Sequence, residues 1–405
     1  MRQISDEQRR ARLGVRHGLA QRRASVEDVV RAMTCLHATE PASVYLSARA
    51  RADVTPEDLE RALYEDRTVT KQLAMRRTVF AFPTGLLPAA WGSASARVQA
   101  ALHARLAKEV EANGVASDGD RWVSEAGEQV LRSLRQHGPL TTAELRERLP
   151  ALSQRLETAP GKSYGGSFPV APRVLSTLAA SGRVLRGVNA GDWRLSRPRW
   201  TLTEEWLDDV PEPLGSAEGY RVLVESWLRG FGPGTEADLV WWLGSTKAAV
   251  RRALGELGAV EVQLSHAVGY LLPDDLDDVP APEPWAALLP TLDPTTMGWR
   301  GREFYLDPEH VPLLFDTNGN AGTTAWWNGR VVGCWAQDPD GVVAVVHLGD
   351  VPPEARRALE VEAERLSTWL GGQRVATVYA SPLMRTVAPA AGAIRPTHAG
   401  GATAP

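Results

Sequence analysis

Apolar positions three and four apart, separated by polar ones, recur in two stretches that match each other: "VLRSLRQHGPLTTAEL" at 130–145 and "VESWLRGFGPGTEADL" at 224–239. The spacing is that of one buried helix face. In both, Val, Leu and Arg (Val130, Leu134, Arg135; Val224, Leu228, Arg229) lead into Gly-Pro and then Thr-x-Ala-acid-Leu. Glycine takes the left-handed conformation that closes a helix, and proline cannot continue one. Gly138 and Gly232 are therefore expected to end their helices that way, with Thr141 and Thr235 as N-caps of the next. A second match, "VLSTLAASGRV" at 174–184 and "VRRALGELGAV" at 250–260, predicts a third helix in each unit, ending at Gly182 and Gly258. Strand-like pairs follow, "RVLRG" with "DWRLS" and "AVEVQLS" with "AVGYLLP". Each unit reads as three helices and a two-stranded wing, a winged helix-turn-helix.

The first hundred residues hold a looser third copy. "SVEDVVRAMTCLHA", "PASVYLSARARA" and "TPEDLERALYED" read as helices, with Ser25 and Thr55 as N-caps and Pro41 and Pro56 at first helical positions. "TVTKQLAMRRTVFAFP" reads as two strands around a turn. From about 285 strand-like runs dominate, "TTAWWNGRVVGCWAQ" with an Asn-Gly turn at 328–329 and "GVVAVVHLGD" among them. A helix, "PPEARRALEVEAERLSTWLGG", and a last strand, "RVATVYA", complete the pattern. The expected fold class is α+β, with tandem winged helix-turn-helix domains. Residues 1–120 form a first winged-helix region with a basic N-terminal arm, 121–205 a second winged helix, and 206–284 a third with an acidic linker. Residues 285–386 form a β-rich domain and 387–405 a disordered tail.

Composition narrows the partners. The 405 residues, 43% hydrophobic and 23% charged, suit a soluble globular protein of two to four domains. No run approaches the roughly 18 apolar residues of a membrane span. The start, "MRQISDEQRRARLG", has no apolar signal core, so a cytoplasmic protein without membrane contact is expected. Cys35 and Cys334 lie too far apart in sequence for a metal motif, and no zinc-type or Ser-His-Asp pattern stands out. Neither metal nor cofactor is expected. A net charge of −4 argues against a uniformly basic nucleic-acid binder. Yet Arg2, Arg9, Arg10, Arg12, Arg16, Arg22, Arg23 and Arg31 crowd the first segment, whereas "PDDLDDVPAPEP" at 273–284 is acidic and proline-rich. The arm reads as a phosphate-facing surface or a solvated helix face, and the acidic stretch as a linker.

"LHATEP" at 36–41 places His37, Thr39 and Glu40 at a predicted junction between helices. Pro41 at the first helical position makes Glu40 the N-cap, so the segment reads either as a capped junction or as a catalytic cluster. With "SVYLSARAR", "QLAMRRTVFAFP", "WLRGFGPGTEADLVWWLG", "LLPTLDPTTMGW" and "LLFDTNGNAGTTAWWNGRVVGCWAQ", it makes the chain resemble the bacterial winged-helix family typified by the DNA glycosylases AlkZ and YcaQ, over residues 1 to about 385. The resemblance implies tandem winged helices curved around a DNA-sized concavity and a small β-barrel-like C-terminal domain. It also implies excision of N-alkylated purines by a motif of Gln, a small or aliphatic residue, Gln or Asp, an acid, and Pro. The matching positions are His37, Ala38, Thr39, Glu40 and Pro41, so both glutamines are replaced.

An N7-alkylated purine is a cationic leaving group, so its excision needs a stabilised oxocarbenium-like sugar and a delivered water. On that chemistry a neutral His37, with an ordinary pKa of about 6.5, accepts the water's proton, Thr39 holds the water and Glu40 supplies negative charge. Lys71, Gln72, Arg76, Arg77, Arg186 and Arg194 are candidate DNA contacts; strand alternation aims Arg76 and Arg77 to opposite faces. Trp241 and Trp242 are read as core. The expectation is a monofunctional, monomeric, nucleoid-associated glycosylase whose partner is double-stranded DNA carrying bulky alkylated purines, acting in self-resistance to a genotoxic natural product. Because His37 and Thr39 replace amides, the alternative is a catalytically inactive DNA-binding or regulatory protein on the same scaffold. A protein-interaction scaffold, favoured by net acidity, is third.

Overall fold

The computed structural model describes residues 1–158 and 165–387; the expected tail from 387 falls almost wholly outside them. The two matching stretches fold alike. Helices Gly119–His137, Thr142–Arg148 and Ala171–Ala180 precede the antiparallel strands Val184–Asn189 and Pro198–Leu202. Helices Ser216–Phe231, Glu236–Leu243 and Lys247–Glu256 precede Val260–Gln263 and Val268–Leu271. Thr141 and Thr235 cap the second helix of each, closing capping boxes with Glu144 and Asp238. Gly138, Gly182 and Gly258 adopt φ of 72°, 74° and 60°, as expected. Gly232 does not: it is extended at φ −61°, although its N–H bonds Leu228 O just as that of Gly138 bonds Leu134 O.

Two local expectations also fail. The second wing strand is Pro198–Leu202 rather than "DWRLS", since the Asn189 amide bonds the carbonyls of Gly191, Asp192 and Leu195 and holds them as a loop. An unexpected hairpin, Arg155–Thr158 with Gly166–Pro169, separates the second and third helices of that unit.

In the first region, helices Val26–Ala32, Pro41–Arg49 and Pro56–Glu60 surround a three-stranded sheet. Its central strand, Thr78–Pro83, lies between Val69–Ala74 and Leu36–His37. His37 therefore sits on a strand, not a helix. The preceding helix ends at Ala32, Thr34 turns the chain at φ 63°, and Leu36 and His37 pair with Ala81 and Phe80.

The C-terminal region is an antiparallel sheet of Ala286–Leu289, Thr324–Trp327, Arg330–Gln337 and Val343–His347, in that order. The Asn328-Gly329 turn between its middle strands has both residues at positive φ, 47° and 80°. The sheet is open, not a closed barrel: helix Pro353–Leu370 packs on it through Leu359, Leu366 and Leu370. "RVATVYA" forms no strand. Val375 N–H is taken by the Gln337 side chain, and the segment crosses to the "LHATEP" motif.

One core joins the first region, the third unit and the C-terminal sheet, through Met33, Tyr45, Phe82, Trp227, Phe231, Trp299 and Trp326. The second unit has its own, into which Leu106 and Val110 of helix Ala96–Ala112 reach. The N-terminal arm belongs to the third unit. Arg2–Gln3 adds a parallel strand to Val260–Gln263, and Ile4 packs with Val262 and Leu271. Arg12 and Arg16 bind Asp275, and Arg2 binds Asp278. These arginines pair with the acidic stretch, which stays mostly exposed and is also held to the arm by Gln8 through Val279. Among the described residues no helix is long and apolar enough to cross a membrane.

Candidate active site

The "LHATEP" segment runs from strand Leu36–His37 into helix Pro41–Arg49, a helix buried along nearly its whole length. Its buried hydroxyls Ser43 and Ser47 are both bonded, Ser43 to Thr291 O and Ser47 to Asp293. The loop 291–296 thus grips the helix that begins at the motif. Arg51 extends the grip with two bonds to Asp293, and both side chains are fully buried.

His37 is 8% exposed, its ring 4.9 Å from that of Phe80 and its Nδ1 buried without a hydrogen-bond partner among the described residues. Burial first, and then the Arg76 charge, hold its pKa down to about 3. His37 is therefore held neutral near neutral pH, a weaker base than a free imidazole that can still accept a hydrogen bond. The Thr39 hydroxyl oxygen is likewise buried and has no partner among the described residues. Glu40 occupies the N-cap position but makes no capping bond. Its Oε1 accepts instead from Thr377 Oγ1 and Val378 N–H, both at 2.7 Å, while Oε2 receives no donor from the described residues. Burial raises the Glu40 carboxyl to about 6, with those two hydrogen bonds working against the rise. The junction reading, with Glu40 as a cap, does not describe what its side chain does.

The other candidate residues scatter. Gln72 is 1% exposed; its amide donates to Ala179 O and accepts from the Trp91 indole, so it braces two units and is not free for DNA. Lys71 donates to Tyr64 Oη at 2.8 Å. Arg76 and Arg77 are not alternating strand residues: both lie in the hairpin turn at positive φ, 54° and 58°, Arg76 against Trp241 and Arg77 exposed. Arg186 lies over Trp200 at 4.7 Å, and burial lowers its guanidinium to about 10. Arg194 is committed to Asp192 and to Arg374 O. Trp242 is core, as expected, whereas Trp241 is only half-buried.

The family model described as DNA glycosylase AlkZ-like matches residues 30–369. The chain belongs to the AlkZ-like DNA glycosylase family. The solved structure of the Streptomyces sahachiroi DNA glycosylase AlkZ has the same fold, with a TM-score of 0.70 and 24% identity, covering 92% of this chain and 98% of that one. No curated protein matches the chain. In this AlkZ-like chain the residues that sequence reasoning missed are Thr377 and Val378, which hold the motif carboxylate from the other end of the polypeptide.

Proposed function

We propose that this AlkZ-like protein is a monofunctional glycosylase that hydrolyses the N-glycosidic bond of bulky N7-alkylated purines in duplex DNA, with self-resistance to a genotoxic natural product as its setting. The observation that carries the reading is Glu40: a half-buried carboxylate held at one oxygen by Thr377 and Val378, one residue after Thr39 and three after His37, whose buried polar atoms find no partner among the described residues. The cationic purine leaves without protonation. Glu40 stabilises the oxocarbenium-like sugar and takes the proton of the attacking water, which the Thr39 hydroxyl and neutral His37 orient. No lysine stands in the motif, which supports hydrolysis rather than a covalent lysine route. The two units of three helices and a hairpin are read as winged helices that dock on the duplex, with Arg77 as an exposed contact. The protein is taken to act as a monomer in the nucleoid.

Single-turnover excision on a panel of N7-adducted duplexes tests the reading; a folded protein that binds these duplexes and excises none of them contradicts it. That outcome would support the second reading, a catalytically silent DNA-binding protein, for which the replaced amides at His37 and Thr39 speak.

A pH profile follows from the site. Glu40 works ionised and its folded pKa lies near 6, so excision is expected to be full above that pH and to fall as pH drops through about 6. Tyr379 lies close enough to feel the Glu40 charge, and burial and that charge both raise its phenol, so it stays neutral over this range. Thr377→Val removes one bond that favours the carboxylate, so the midpoint moves upward, while Thr377→Ser restores it. A rate independent of pH between the acid-stability limit and neutrality would remove Glu40 from the chemistry.

A further inference from the structure

Beside the motif, two guanidinium groups share one indole. Arg76 lies 4.3 Å from the Trp241 ring centroid with its Nε buried and unpartnered. Arg302 lies 5.5 Å from the same ring and 4.4 Å from that of Phe315, its Nε bonded to Trp299 O. Among the described residues neither cation pairs with a carboxylate, and residues 159–164 and 388–405 contain no Asp or Glu. Arg12, Arg16 and Arg51 differ, since each meets an aspartate, whereas the buried Arg186 lies over Trp200 alone and has no second guanidinium on that ring among the described residues.

The fold holds this arrangement in place from three directions. Arg76 is fixed in the hairpin turn at φ 54°, where Gly244 packs on it so closely that a Cβ there would come within 3.1 Å of the Arg76 amide nitrogen. Gly244, left-handed at φ 58°, caps the helix that carries Trp241. Arg302 is tied to the same helix through the N–H groups of Arg300 and Gly301, which both bond Asp238 Oδ1. Two like charges kept this close in a partly dry setting repel, and an anion placed across them relieves the repulsion. Burial lowers Arg76 to about 10, so it stays cationic at neutral pH, and its charge is close enough to act on His37.

We propose that Arg76, Trp241 and Arg302 form a clamp for one phosphodiester of the DNA strand beside the His37–Glu40 motif. The identity of the ligand rests on the glycosylase reading; the clamp itself does not require that any bond be broken. Planar guanidinium groups match the non-bridging oxygens of a phosphate, and the indole fixes the distance between them. The clamp would set which nucleotide reaches the motif.

The test is fluorescence anisotropy with an undamaged labelled duplex across a salt series. Arg302→Gln is expected to lower the slope of log affinity against log salt by about 0.9, the contribution of one phosphate, and Arg302→Lys to keep it. Adding Arg76→Gln to Arg302→Gln removes no second phosphate. A neutral methylphosphonate placed at each linkage in turn gives an independent reading: one linkage should weaken wild-type binding and leave Arg302→Gln unaffected. This scan decides the matter if Arg76→Gln does not fold. Unchanged slopes in folded Arg302→Gln, or no sensitive linkage, overturn the clamp even if adducts are excised. Inorganic phosphate that raises the melting temperature while DNA slopes stay unchanged would mark a free-anion site and overturn it too. Loss of slope in a protein that excises nothing keeps the clamp and removes the glycosylase reading.

Discussion

Glu40→Gln is expected to cut single-turnover excision by about 10² to 10⁴-fold, the range of a lost general acid–base group, while duplex affinity and melting temperature stay near wild type. The amide keeps the shape of the carboxylate and one acceptor oxygen for Thr377 and Val378, so the segment that crosses the motif stays docked. What disappears is negative charge beside the developing sugar cation and the site that takes the water's proton. His37→Ala is expected to cost less, below roughly 10²-fold, because an imidazole whose pKa is held near 3 orients water without taking its proton. Thr39→Ala should be milder again. The order is the informative part. If His37→Ala proved as damaging as Glu40→Gln, with both proteins folded, the assignment of the base to Glu40 would be wrong. Three folded variants that all excise at the wild-type rate would return the segment to the status of a helix junction.

What could be read from the sequence depended on how far apart the deciding residues lie. The threonine caps, the Asn328-Gly329 turn and the three-helix repeats involve partners within a few positions, and local chemistry dictated them. The strand at Leu36–His37 was hidden because Met33, Cys35 and Leu36 fit a helix face as well as a strand, and no residue type announced the turn at Thr34. The basic arm and the acidic stretch read separately as solvated charge, yet Arg2 and Asp278 stand 276 positions apart and are bonded. Glu40 was legible as a candidate by its place in the motif. Its partners 337 and 338 residues away were not, and neither was the dry surrounding that makes His37 a poor base. A side chain's reference pKa belongs to water, and burial is set by the whole chain.

The largest effect on stability is expected at the buried pair that ties the motif helix to the C-terminal region. Arg51 and Asp293 are both 0% exposed, and Asp293 is satisfied at each oxygen: Oδ2 by Ser47 Oγ and Arg51 Nη1, Oδ1 by Arg51 Nη2 and the Thr295 N–H. Arg51 Nη2 also donates to Thr295 Oγ1 at 2.7 Å. Asp293→Ala strands a guanidinium in the interior, and breaking such a pair typically costs about 3 to 5 kcal/mol. The double replacement Arg51→Met with Asp293→Leu leaves no buried charge and should cost markedly less than the single one, because desolvation of two ions had offset much of their attraction. Urea unfolding followed by tryptophan fluorescence compares the two. Trp299 and Trp326 share the core that this pair spans, so they report on the transition that it controls. A single replacement costing under about 1 kcal/mol would mean that packing, and not this network, holds loop 291–296 against the helix. With the network intact the helix that starts at Pro41 has a fixed axis, and Glu40 just before it has a fixed address; with it broken, excision by the folded fraction should fall as well, although Asp293 is no part of the motif.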